Sequence, residues 1–188
     1  QINIKISNTM QRNRNIRKVV LPPNAVEHTS NIQRRPIGKH FEKETPTQAA
    51  RIRKDIQYTT VEKIFKDETV YIIGGGPSLE NFDFSKLIGS RTIAINKALM
   101  FHSQADVLYW TDSRFYSWYK NEIDNYKGLK FTVKAGSKYT TDIKILKKGK
   151  AFGIETDPQL IAHGNNSGYA AINLAYHLGA SRIILLGF

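Results

Sequence analysis

The chain contains no cysteine, so disulfides and thiolate metal sites are excluded and the redox compartment is left open. No apolar run approaches the roughly 18 residues of a membrane-spanning helix. The opening stretch, QINIKISNTMQRNRNIRK, alternates charge with amide and lacks the apolar centre of a secretory signal. Secretion by that route is not expected, and the expected setting is the cytoplasm or a virion. There is no initiating Met, as in a processed chain or a piece of a longer one. Acids are also scarce at the start. Residues 1–60 hold 12 Lys and Arg against 4 Asp and Glu, a balance of +8, while the remainder holds 16 against 12, a balance of +4.

That first third also lacks the apolar content of a domain. Phe41 and Tyr58 are its only aromatics, and Pro22, Pro23, Pro36 and Pro46 interrupt what periodicity there is. Such a segment buries too little surface to offset the entropy of ordering it. Residues 1–60 therefore read as an extended basic arm, with one short helix expected in TPTQAARIRKDIQ (45–57), capped by Thr45 or Thr47. An arm that cannot fold alone is expected to be ordered by protein neighbours in an assembly. Its bases, interspersed with Asn and Gln, would also neutralise nucleic-acid phosphates without regard to sequence.

What is present begins near residue 60. Short β-rich runs alternate with helical stretches: TVYII (69–73), RTIAI (91–95), DVLYW (106–110), LKFTV (129–133) and RIILLG (182–187) read as strands. Several are apolar at consecutive positions, as strands covered on both faces are. Helices are expected over 113–126 and 167–179, the second with Ala171, Leu174, Ala175 and Leu178 on one face, Asn166 or Ser167 as its cap and Gly179 at its end. The alternation predicts an α/β, Rossmann-like domain over 61–188 with a mostly parallel sheet. The sequence stops at the exit of a predicted strand, so a C-terminal portion is expected beyond Phe188.

The first of these strands leads into a run of glycines within VYIIGGGPSLENFD (70–83). Glycines admit close backbone approach, their amides can converge on a phosphate, and a helix start adds a favourable dipole. Pro77 suits a first helical turn, and Ser78 adds a hydroxyl. The stretch is neither the dinucleotide fingerprint, since Leu79 stands where the third glycine would be, nor a P-loop, since no Gly-Lys-Ser/Thr comes after it. A tight turn that needs glycine for its backbone alone is an equal reading.

Three blocks in order, GGGPSLENFDF, AIN (94–96) and NNSGYAAINLAYHLGASRIILLGF, resemble one Rossmann-like superfamily. It includes bacterial sialyltransferases, flagellar motility-accessory proteins, an archaeal hydroxymethylpterin pyrophosphokinase and phage-encoded relatives of morphogenetic type. The resemblance covers residues 69–188. It implies that Gly74, Gly75, Gly76, Pro77 and Ser78 wrap a nucleotide phosphate and that Asn96 contacts the nucleotide. It further implies that Asn166, Ser167 and Gly168 approach its sugar or base. The ligand so implied is a nucleotide or nucleotide-sugar, with or without Mg²⁺, and the reaction, if there is one, is glycosyl or pyrophosphoryl transfer. The histidine that serves as general base in the sialyltransferases lies beyond the block ending at Phe188, and neither His163 nor His177 matches it. The same resemblance leaves a second expectation standing: a non-catalytic component of a virion or other assembly, held by its basic arm.

Two acids, two histidines and an aromatic group are also singled out. Asp112, in YWTDSRF, sits at a strand exit where a Mg-nucleotide site would want an acid, though capping the helix from Ser113 explains it as well. Asp106 starts a strand and lies at the wrong end of the sheet. His163 could line the crevice, and His177 is expected at the surface or partly buried. Among Phe115, Tyr116, Trp118 and Tyr119, able to stack a base or pack a helix, Trp118 is the expected packing anchor.

Overall fold

A computed structural model describes residues 3–6, 56–133, 139 and 142–188. The helix expected over 45–57 lies outside the described residues, apart from its last two, which are not helical. Six strands run from the glycine-bearing one onward: β2 (Thr69–Ile73), β3 (Arg91–Ile95), β4 (Val107–Trp110), β5 (Leu129–Thr132), β6 (Ile143–Ile145) and β9 (Arg182–Leu186). They form one sheet in the order β9-β2-β3-β4-β5-β6, and every pairing is parallel. A seventh strand, β1 (Asn3–Ile6), adds along the free side of β9, also parallel, with Asn3 opposite Arg182 and Ile6 opposite Leu185. The first residues of the expected arm are therefore a sheet edge rather than a segment apart. Lys147–Lys148 (β7) and Leu160–Ile161 (β8) make a separate two-stranded ribbon.

Alternation along each strand builds two cores. Val70 and Ile72, Ile93 and Ile95, and Val107 and Tyr109 face one side, where they pack with Ala170, Ala171, Leu174, Ala175 and Leu178. Those residues come from α3 (Ser167–His177) and the turn after it. Ile73, Ala94, Leu108 and Trp110 face the other side. That face is covered by α1 (Ser113–Trp118), α2 (Lys120–Asn125) and the 3₁₀ turns Pro77–Leu79, Phe84–Leu87 and Asn96–Met100. A sheet between two covered faces explains why its strands are apolar at successive positions.

Four expectations give way to the observed packing. The helix predicted over 113–126 is interrupted at Tyr119 (φ −124°, ψ 35°), giving two pieces of six residues. Phe115 and Tyr116 set the buried face of the first piece and leave Trp118 off it, 56% exposed, so the expected anchor is wrong; Trp110, Phe115 and Tyr116 fill that core instead. His177, expected at the surface or partly buried, is buried, and its Nε2–H donates to the Leu160 carbonyl at 2.8 Å. The glycines lead into a 3₁₀ turn with Pro77 at its start, not into an α-helix.

Candidate functional site

The chain runs β2 to β6 outward on one side and then returns to place β9 on the other side of β2. The carboxyl ends of β2 and β9 thus form the switch point at which open α/β sheets bind ligands. The glycine turn lies there, and its geometry is governed by the protein itself. The Gly74 N–H donates to the Leu186 carbonyl at 2.8 Å and the Gly76 N–H to the Gly187 carbonyl at 2.9 Å. A Cβ on Gly74 would stand 2.5 Å from the Gly187 oxygen, and one on Gly76 would stand 2.7 Å from it. A Cβ on Gly168 would meet the Phe188 ring at 2.5 Å, while one on Gly74 would stand 3.2 Å from the same ring. The first and third sequence blocks do come together, around Phe188. Gly75 differs: it is exposed, and a Cβ there would meet nothing within 4 Å. Ser78 is exposed beside it.

Asn96 opens the turn after β3 with φ 51°, a left-handed conformation that asparagine tolerates better than most residues. Asn166 caps α3, its side-chain oxygen accepting the Gly168 N–H at 2.7 Å and the Tyr169 N–H at 3.3 Å. Ser167 shares a 2.6 Å hydroxyl–hydroxyl hydrogen bond with Thr111, which ties the start of α3 to the exit of β4. Asp112 caps α1: its carboxylate accepts the Arg114 N–H at 2.9 Å and grips the Arg114 guanidinium at 2.6 Å. Asp106, at the amino ends as expected, holds the Thr92 N–H at 2.8 Å and lies 3.5 Å from Arg91. Among the described residues no three His, Asp or Glu side chains form a group able to hold a metal.

At the exit of β4 an open cleft of about 470 Å³ is lined by Thr111, Asp112, Ser113 and Arg114 on one wall and by Lys148, His163 and Asn165 on the other. The second wall is the β7–β8 ribbon with the loop leading into α3. It is bound to the body by Asn173, whose amide accepts the Glu155 and Ala162 N–H groups at 3.0 and 2.8 Å and donates to the Glu155 carbonyl at 3.0 Å. The His163 Nδ1 accepts the Asn165 N–H at 3.2 Å, so the neutral ring carries its proton on Nε2. The cleft thus offers an ammonium, an imidazole, two hydroxyls and a guanidinium paired with the Asp112 carboxylate around one open volume. Of its lining, Asp112 and His163 are marked by the sequence. Arg114, Lys148, Thr111 and Asn165 are not, because they come from separate segments and no local motif singles them out.

A second cavity, about 420 Å³, opens at the opposite end of the sheet among Phe84, Arg91, Phe101, His102 and Asp106. Its lining is more aromatic, with Phe84 stacked on His102 at 5.3 Å.

Comparison of the chain with protein-family models, with curated proteins and with solved structures gave no match. The fold therefore stands on the sheet alone: a parallel α/β domain of Rossmann-like architecture. No helix among the described residues is long and apolar enough to cross a membrane.

Proposed function

We propose that the carboxyl-end cleft binds a nucleotide or nucleotide-sugar as part of a transferase-like domain. The observation that carries this reading is the cationic, hydroxyl-rich lining of the cleft, beside the start of α3. Arg114 and Lys148 would neutralise phosphate oxygens, the Nε2–H of His163 would donate to one, and Thr111 and Asn165 would supply neutral contacts. Gly75, Ser78 and Asn96, which the resemblance assigns to the ligand, follow the neighbouring strands β2 and β3 and would meet the rest of it. If the domain turns over, the resemblance implies glycosyl or pyrophosphoryl transfer.

Calorimetric titration of the chain with CMP, UDP, ATP and GTP, with and without Mg²⁺, tests this reading. Micromolar binding of one of them, about −8 kcal/mol, is expected, weakened in Lys148→Ala and in Gly75→Val. Neither variant introduces a clash: Lys148 is exposed and Gly75 faces open space. Absence of binding by any of the four to the folded chain would overturn it.

A second reading, a particle component whose domain is borrowed architecture, is favoured by one specific observation. Gly74, Gly76 and Gly168 are each accounted for by contact with Gly187 or Phe188, without a ligand. Under that reading all four titrations are blank, and deletion of residues 1–58 releases the domain from its assembly.

A further inference from the structure

Two exposed aromatics lie on the elements that supply the two walls of the cleft. Trp118 is 56% exposed on α1, and its ring lies under the Arg114 guanidinium, 5.4 Å from ring centroid to carbon. Arg114 itself lines the cleft. On the other side Phe152 is 80% exposed, the most exposed of the large apolar side chains among the described residues. It sits in the loop after β7, whose Lys150 and Ala151 carbonyls accept the His163 and Gly164 N–H groups at 3.2 and 3.0 Å. The basic run that supplies Lys148 to the cleft also carries Lys150; both side chains are exposed and neither ammonium is in an ion pair among the described residues, while the Lys150 backbone N–H donates to the Glu155 carboxylate at 3.4 Å.

An exposed tryptophan beside an arginine, a second exposed ring, and lysine ammonium groups outside any ion pair on the same ribbon suit a chain that alternates flat bases with phosphates. We propose that this surface binds single-stranded nucleic acid. Bases stack on Trp118 and Phe152, and the intervening phosphates lie along Lys148 and Lys150 and across the cleft. A folded partner surface would not need two isolated aromatic rings on opposite walls, and a duplex buries its base faces where neither ring can reach them. The surface belongs to the domain and is distinct from the basic arm, which offers charge with almost no aromatic residue. Binding of a free mononucleotide in the cleft is neither required nor excluded by it.

The experiment uses the full chain and a labelled single-stranded oligothymidylate of about twelve nucleotides, enough to cross a site of this kind. Affinity is followed by anisotropy and stacking by intrinsic fluorescence. The chain has two tryptophans and Trp110 is fully buried, so quenching on binding reports Trp118. Quenching is expected, with affinity lowered about tenfold in Trp118→Ala and in Phe152→Ala and largely kept in Trp118→Phe. In Lys148→Ala the slope of log affinity against log salt should fall by about 0.7. Binding that is unquenched and indifferent to Trp118→Ala and Phe152→Ala would assign the nucleic acid to the arm and overturn the proposal, as would no binding at all. Mononucleotide binding without tighter binding of the oligomer would leave the cleft reading standing and sink this one. Quenched oligomer binding without mononucleotide binding would do the reverse.

Discussion

Two regions share the carboxyl end of one sheet and differ in what their residues face. At the β2–β9 exit, Gly74 and Gly76 face the Gly187 carbonyl, and Gly168 faces the Phe188 ring. At the β4 exit, Arg114, Lys148 and His163 face open volume. The first region carries the conspicuous sequence and is closed by the protein's own backbone; the second carries an unremarkable sequence and is open. A run of glycines shows that something approaches the backbone closely, and does not show that the something is a ligand. Here two of the three glycine amides are already bonded.

That contrast can be broken by substitution. The largest effect is expected at the support of the open region. Asn173→Ala leaves the buried Ala162 N–H and the half-buried Glu155 N–H and carbonyl without their partner and should cost about 3 kcal/mol in urea unfolding. A stability within about 0.5 kcal/mol of the parent, the usual surface scatter, would show that the ribbon wall is held by other contacts. Next comes Gly74→Ala, whose methyl would press on a carbonyl oxygen that cannot swing aside; about 2 kcal/mol is expected by the same measurement. Asp112→Ala should remove the α1 cap at a cost of about 1 kcal/mol. It should also raise affinity for any anion in the cleft, because Arg114 is freed; weaker anion binding would mean that the carboxylate itself contacts the ligand.

A milder effect is expected with pH. Burial holds the His177 imidazole below its ordinary value of 6.5, against the opposing bond to the Leu160 carbonyl, and burial lowers His102 as well. The unfolded chain therefore binds these protons more readily than the folded one. Stability should fall as pH drops below 6.5 and level off below the folded values. His177→Gln should flatten part of this dependence, and an unchanged profile in that variant would assign it to other groups. The smallest effect is the sharpest comparison. Gly75→Ala, one residue from Gly74, should change stability by less than about 0.5 kcal/mol, since its methyl points into open space. Equal costs at 74 and 75 would remove the distinction between a glycine held by contact and a glycine free to meet a ligand.

The parallel sheet was legible because each strand is covered on both faces. TVYII, RTIAI and RIILL are apolar at consecutive positions, and all three begin and end within a residue of where the pattern puts them. The Asn166 cap was equally legible, as was the capping reading of Asp112, since both depend on bonds within three residues. Trp118 was not. Its orientation depends on which residues of the six-residue α1 face the sheet, a stretch too short to show a period. The β7–β8 ribbon escaped notice because two-residue strands carry no periodicity, so the wall that holds Lys148 could not be placed opposite Arg114. The strand at Asn3–Ile6 was hidden for another reason: four residues of mixed polarity declare a strand only through the partner they find far along the chain.

The sheet's centre also constrains the order in which the molecule can be assembled during synthesis. β2 pairs with β3 across a short connection, but its other neighbour, β9, is 113 residues further on, with Thr69 opposite Arg182. A nascent chain can therefore build β2 through β6 while the β2 side that awaits β9 stays bare. Until Arg182–Leu186 emerge, that side presents the unpaired amides and carbonyls of Thr69–Ile73, an edge open to any passing strand. Ribosome pausing before residue 182 would lengthen the interval in which the nascent chain is prone to misassociate.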